Sequence, residues 1–300
     1  MSDINFRREI AFEYGTLETV SPLVRRLVAR NPGPFTFNGT ATFVVGRGRV
    51  AVIDPGPALD EHIAALLKAL EGETADCLLI THTHRDHSPA AAAVKRATGA
   101  ATYGFGPHGT ARGPSGEEGA DHAFVPDRTI RDGDEIDGPG WHIRAVHTPG
   151  HTSNHLCYAL AEESLLFSGD HVMGWSTSVI SPPDGDMAAY MRSLEKLLAR
   201  DDALYMPTHG PAIPDPKPYV ASFIAHRRER AAAIRSRLAA GDRTVGAIVD
   251  AVYVGLPANL HAAAARSVLA HLIELVGAGE VESEGPPSLD SQYRLCAARA

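Results

Sequence analysis

From Thr40 to Asp54 the chain runs as two β-rich stretches, TATFVV and RVAVID, parted by Gly46-Arg47-Gly48, and this pattern predicts a hairpin. Asp54-Pro55-Gly56 closes the second stretch. Leu59 to Leu70 places apolar residues at helical spacing, Cys77 to Thr81 is a short apolar run of strand type, and Pro89 to Ala97 is an alanine-rich helix. Residues 104–121 are crowded with Gly, Pro and charge, so they read as a loop long enough to cover a site. Beyond it, Trp141 to His147, His155 to Leu160 and Leu165 to Ser168 read as strands, Met187 to Leu198 as a helix and Ala203 to Met206 as a strand. Alternation of strands and helices in both halves predicts sheets covered by helices.

The pattern changes at Pro211–Pro218, which holds four prolines in eight residues and divides the chain into residues 1–214 and 215–300. After it come three helical stretches, Tyr219 to Ala240, Thr244 to Val252 and Asn259 to Val276. Two short strand-like pieces follow, Glu280 to Ser283 and Gln292 to Leu295. Three helices and a terminal hairpin predict a small winged-helix module. Charge divides at the same place: residues 1–214 hold 18 Lys and Arg against 27 Asp and Glu, and residues 215–300 hold 10 against 9.

The overall net charge of -8 disfavours RNA as a partner, because polyanion binders gain affinity from surplus cations. Arg227, Arg228, Arg230, Arg235 and Arg237 form a basic stretch on the first of the three helices, read as the solvated face of an amphipathic helix. The third helix, which would enter a groove, offers only Arg266. The module is left three roles: contacting RNA, capping a site, or pairing subunits in a homo-oligomer. At the N-terminus, Arg7, Arg8 and Glu9 interrupt any signal-peptide pattern, and no run approaches the ~18 apolar residues of a membrane span. The expectation is a cytoplasmic protein with no membrane contact. Cys77, Cys157 and Cys296, three in number and widely spaced, are expected to be core residues.

The chemistry concentrates in Thr81-His82-Thr83-His84-Arg85-Asp86-His87, directly after a predicted strand. Imidazole nitrogen and carboxylate oxygen are ligands for zinc and similar divalent metals, and four such groups within six residues exceed what a merely soluble loop needs. In an extended stretch His82 and His84 point the same way. Both can hold one ion, while a turn through Asp86 and His87 faces a second. His151, in His147-Thr-Pro-Gly-His151-Thr, and His209, in Pro207-Thr-His209-Gly, also follow strand ends, and Ser168-Gly169-Asp170 presents a carboxylate from a glycine turn. Trp175, Ser176 and Thr177, on the next loop, are candidate pocket-lining residues. His62, His108, His122, His142, His226, His261 and His271 are read as ordinary core or surface histidines. His147 is read as structural, His155 as packing below the site, and His171 as turned away from it.

Through nearly all of residues 17–214 the sequence resembles the metallo-β-lactamase superfamily. Its HxHxDH motif appears as residues 82–87, followed in order by His151, Asp170 and His209, with Asp54 of Val-Ile-Asp-Pro-Gly preceding them. Within the superfamily the match is nearest to the β-lactamase-like protein 2 group, whose members carry a C-terminal winged helix. The resemblance implies an α/β (α+β) αββα sandwich with two divalent metal ions, zinc first and iron or manganese as alternatives. His82, His84 and His151 would bind one ion, Asp86, His87 and His209 the other, Asp170 would bridge them, and Asp54 would support the ligand loop from behind. It also implies a hydrolase in which a metal-bridging hydroxide, oriented by Asp86, attacks an ester, thioester, lactone or amide carbonyl of a small-molecule substrate. The alternatives are a glyoxalase II-like thioesterase and an endoribonuclease using the same two-metal chemistry.

Overall fold

The computed structural model describes residues 4–109 and 119–297; half of the loop expected over residues 104–121 lies outside the described residues. Two β-sheets face one another. The first runs in the order β1 (Glu18–Thr19), β2 (Val24–Val28), β3 (Ala41–Arg47), β4 (Arg49–Ile53), β5 (Thr74–Leu79), β6 (Ala101–Gly104), β7 (Arg128–Thr129). The second comprises β8 (Glu135–Gly138), β9 (Trp141–His147), β10 (Leu156–Leu160), β11 (Leu165–Gly169), β12 (Leu204–Pro207) and β13 (Ile213–Pro214), each beside its neighbour in sequence.

Period-2 alternation sorts the strand residues between two buried faces. Phe43, Val45, Ala51 and Ile53 meet Trp141, Ile143, Tyr158 and Phe167 between the sheets, with the Phe43 and Phe167 rings 5.0 Å apart. The intervening Val44, Val50 and Val52 face outward onto α1 (Asp60–Ala69) and α2 (Ala91–Thr98) through Leu66, Leu70 and Val94. On the opposite side Val146, Cys157, Leu166 and Tyr205 pack on α3 (Met187–Leu198), which Asp186 caps by accepting from Ala189 N at 2.8 Å. Strands covered on both faces explain the nearly unbroken apolar runs in the sequence. The result is the helix, sheet, sheet, helix layering that the family resemblance implies.

Several strands escape the sequence pattern. In β2, Arg25 and Arg26 interrupt the apolar run, yet both sit half-buried because Arg25 pairs with Glu73 at 2.7 Å and Arg26 with Glu18 at 3.0 Å. β6 and β8 are four residues each, too short to show a period. Cys77 and Cys157 are core residues as expected; Cys296 is only half-buried.

The C-terminal part holds α4 (Pro216–Ala239), α5 (Val245–Val252), α6 (His261–Gly277) and a hairpin of β14 (Val281–Ser283) with β15 (Tyr293–Leu295). α4 begins with prolines in its first turn, where a missing N–H costs nothing. Its packing departs from the expected division at residue 214. Val220, Phe223 and Ile224 belong to the core under the second sheet, whereas Ile234 and Leu238 belong to the separate core of α5, α6 and the hairpin. α4 is therefore shared by two cores, and α6 also reaches the first of them through Ala270. The basic stretch on it is not a uniformly solvated face either, since Arg227 is buried. Its neighbours are engaged: Arg228 with Glu195, Arg235 with Glu280, Arg237 with Asp242, and Arg230 over the Tyr253 ring.

Because α4 links both cores, they should unfold together. Phe223→Ala is expected to cost about 3–5 kcal/mol and to shift the denaturant transition equally by tryptophan fluorescence, which reports on Trp141 between the sheets and Trp175 on the loop after Asp170, and by helix circular dichroism. Two separated transitions would show that the cores are independent.

Candidate metal centre

All seven residues expected as metal ligands converge at one edge of the sandwich, where the C-terminal ends of β5, β9, β11 and β12 open into loops. β5 leads to His82, β9 to the turn before His151, β11 to Asp170 and β12 to His209. Two of these turns need glycine. Gly150 has φ +141° and a Cβ there would lie 2.3 Å from the Tyr190 backbone; Gly169 has φ +54° and a Cβ would lie 2.5 Å from His155 Nε2.

The donor atoms fall into two groups, His82, His84, His151 and Asp170 in one and Asp86, His87 and His209 in the other, the atoms of each within 4.8 Å of one another. His82 Nε2 is 2.9 Å and His151 Nε2 3.1 Å from His84 Nδ1. Asp170 reaches across: Oδ2 is 3.7 Å from His151 Nε2 and 3.6 Å from His87 Nε2, and Oδ1 is 3.4 Å from His209 Nε2. Asp86 Oδ2 lies 3.1 Å from His209 Nε2 and 3.4 Å from His87 Nε2. Ligands bound tetrahedrally at zinc–nitrogen distances stand about 3.3 Å apart, so the donor set fits such ions. His87 Nε2 and Asp170 Oδ1, both buried, have no hydrogen-bond partner among the described residues, as expected of atoms reserved for a cation.

The imidazoles are aimed from behind. Asp54, itself buried, accepts from Thr81 N at 2.8 Å, Thr81 Oγ1 at 2.7 Å, His87 Nδ1 at 2.8 Å and Thr208 Oγ1 at 3.3 Å. Since the Thr81 hydroxyl proton goes to Asp54, His82 Nδ1 must donate to Thr81 Oγ1 at 3.0 Å, which leaves His82 Nε2 bare toward the centre. His151 Nδ1 donates to Val179 O at 2.6 Å and His209 Nδ1 to Gly39 O at 3.1 Å, so in each neutral ring Nε2 is the nitrogen left for the centre. Thr40 Oγ1 donates to Asp86 Oδ2 at 3.1 Å.

Burial, together with the neighbouring imidazoles His87, His84 and His151, holds His82 well below the usual histidine range. Burial would lower His87 and His209 too, but Asp86, Asp170 and Asp54 outweigh it at His87, which rises well above that range. Asp170 and Asp86 likewise raise His209 to about 10. Burial would raise Asp170, yet His209 and His87 hold it well below the carboxylate range. The second group thus carries concentrated negative charge that either protons or a cation must balance.

His155 is buried behind the site, its Nε2 accepting from Asp170 N at 3.2 Å and its Nδ1 bonded to Thr148 Oγ1 at 2.9 Å. His171 turns away against the Tyr190 ring, 4.5 Å between centroids. His147 stacks on Phe105 outside the centre. Trp175, Ser176 and Thr177 are half-buried on the loop after Asp170. Trp175 stacks on Phe37 at 4.9 Å and lies against Gly210, while Ser176 Oγ bonds the neighbouring Thr177 carbonyl. No motif marks Thr40, Phe37 or the carbonyls of Gly39 and Val179 in the sequence, and the motifs that contain Thr81 and Thr208 assign them no role. Thr81 and Thr208 each precede a ligand histidine, a signal in principle readable; carbonyls carry none. His108, read as ordinary, is buried against Thr83 Oγ1 at 2.9 Å with its ring 6.3 Å from that of His84. Among the described residues no helix is long and apolar enough to cross a membrane.

Comparison with known proteins identifies the family. Residues 35–209 match the metallo-beta-lactamase superfamily and residues 244–286 the beta-lactamase associated winged helix domain. The chain is 33% identical over 277 residues to a beta-lactamase-like protein 2 homolog of Drosophila melanogaster, covering 86% of this chain and 89% of that protein. It is 31% identical over 217 residues to an atrochrysone carboxyl ACP thioesterase of Paecilomyces divaricatus, covering 71% of this chain and 64% of that one. In fold it is similar to a beta-lactamase domain protein from Burkholderia ambifaria, with TM-score 0.80, 21% identity and 96% of each chain covered. The chain therefore belongs to the metallo-β-lactamase superfamily, whose members are generally hydrolases, and carries the winged helix domain associated with it.

Proposed function

We propose that this protein is a two-metal hydrolase that cleaves an activated acyl bond of a small molecule, a thioester ahead of an ester, lactone or amide. The observation that carries the reading is Asp170, whose two carboxylate oxygens face donor atoms of both groups. The likeness to a chain named as a thioesterase supports the choice of acyl substrate.

In this reading His82, His84 and His151 would hold one ion and Asp86, His87 and His209 the other, with Asp170 within reach of both. Divalent ions held there supply Lewis acidity, polarising an acyl carbonyl and making water acidic enough to ionise near neutral pH. Asp86, with 24% of its side chain exposed, is open enough to accept a hydrogen bond from the attacking water and orient it. Trp175, stacked on Phe37 beside the His209–Gly210 turn, offers a wall for the apolar part of the acyl group. Zinc is the first expectation from an imidazole-rich donor set, with iron or manganese compatible with the same ligands.

Metal analysis of protein purified without added metal, then a panel of thioesters, esters, lactones, phosphodiesters and RNA, tests the proposal. Two ions per chain and chelator-sensitive thioester hydrolysis are expected. A fully loaded chain holding at most one ion, or cleavage of RNA with no acyl hydrolysis, would overturn it.

Asp54→Asn replaces an acceptor of four donors with a group that also donates, so it should weaken metal affinity by about 10–100-fold, read by chelator competition. Undiminished affinity would remove Asp54 from the centre's support. Metal uptake should also release protons. His87 and His209 are held protonated at neutral pH by the carboxylates around them, and a ligating nitrogen must be bare. Apparent affinity therefore rises with pH through neutrality, and titration calorimetry in buffers of different ionisation enthalpy should detect the protons; buffer-independent heats would count against both assignments.

A further inference from the structure

Arg227 sits on α4 between the stretches that serve the two cores, 4% exposed. Unlike Arg228, Arg235 and Arg237 it forms no ion pair with any described residue, and its Nε has no hydrogen-bond partner. A buried cation without a counter-charge is costly, so apolar packing does not account for its presence.

Its contacts lie along the loop that follows Asp170. Nη2 donates to the carbonyl of Ser178. The Ser178 hydroxyl in turn donates to the carbonyl of Asp170 at 2.5 Å, and the carbonyl of the next residue, Val179, receives Nδ1–H of His151 at 2.6 Å. The guanidinium also lies over the Tyr190 ring, 5.3 Å from its centroid, and Tyr190 Oη donates to the His171 carbonyl at 2.9 Å. One side chain from the C-terminal helices thus grips the short backbone segment on which a bridging carboxylate and an imidazole both rest. Partners behind metal ligands govern affinity because small errors in donor position are costly.

We propose that Arg227 is a positioning residue of the metal centre, which clamps Ser178 and thereby fixes Asp170 and, through Val179, His151. The C-terminal helices are on this view a mechanical part of the site. The inference rests on the metal-binding reading of that site.

The test measures zinc dissociation by chelator competition and the visible absorption of the cobalt-loaded protein for the wild type, Arg227→Met, Arg227→Lys and Ser178→Ala, alongside denaturant unfolding of each metal-free chain. Arg227→Met and Ser178→Ala should loosen zinc by about 10–100-fold and alter the cobalt spectrum. Arg227→Lys, which keeps the charge and one donor, should recover part of the loss. Ser178→Ala should loosen zinc with only the small shift in unfolding midpoint that one lost hydrogen bond gives, a separation that a purely structural role would not give. If Arg227→Met fails to fold, the Ser178→Ala and Arg227→Lys results decide. Zinc held as tightly by Ser178→Ala as by the wild type, or lost in Arg227→Met with no recovery in Arg227→Lys, would overturn the proposal. Wild-type protein that takes up no zinc would overturn the metal reading and this inference with it; a two-zinc wild type with variants of equal affinity would overturn this inference alone.

Discussion

One buried carboxylate organises the edge of the sandwich. Asp54 leaves β4 with φ +47°, a left-handed conformation that Asp tolerates better than most residues, and its two oxygens collect donors from Thr81, His87 and Thr208. Those donors belong to the end of β5, the HxHxDH loop and the end of β12, so segments separated by up to 154 positions are tied at a single point. Hydrogen bonds to an ionised acceptor are the strong kind, and they are stronger where water is excluded. Through them the orientation of His82 and His87 is settled before any cation arrives.

The same logic recurs around the centre. Every ligand imidazole whose rear nitrogen is held by a carbonyl, hydroxyl or carboxylate has one tautomer available when neutral, and that tautomer turns its lone pair inward. Two sheets packed through Phe43, Trp141, Tyr158 and Phe167 give these groups a rigid base. Tyr158 adds a bond from its hydroxyl to the Ile80 carbonyl at 2.7 Å, just before the ligand loop, linking the second sheet to the first. Rigidity here is useful because four carboxylate and imidazole segments must agree in position without a covalent link between them.

The long helix α4 changes how the two matched regions relate. A boundary drawn from prolines and charge separates residues 215–300 as a unit, but Val220 and Phe223 pack beneath the second sheet while Ile234 and Leu238 enter the winged-helix core. Arg227 occupies the join between them. A sequence boundary marks where composition changes, whereas packing follows the apolar stripe of a continuous helix, and the two need not coincide.

Much of the candidate metal centre could be read in the chain itself. HxHxDH, His151, Asp170 and His209 declare their chemistry because ligand types are few and their turns demand glycine, and the hairpin and helices of the first half follow from periodicity. The strands β2, β6 and β8 could not be read, since charge or brevity hides the period, and neither could the shared membership of α4. Nor could the supports: Gly39 and Val179 contribute carbonyl oxygens that every residue possesses, and Arg227 resembles its solvated neighbours until the fold buries it. Sequence determines which side chains can bind a cation; only tertiary structure decides which ordinary groups stand behind them, because that depends on what the chain brings together across long separations.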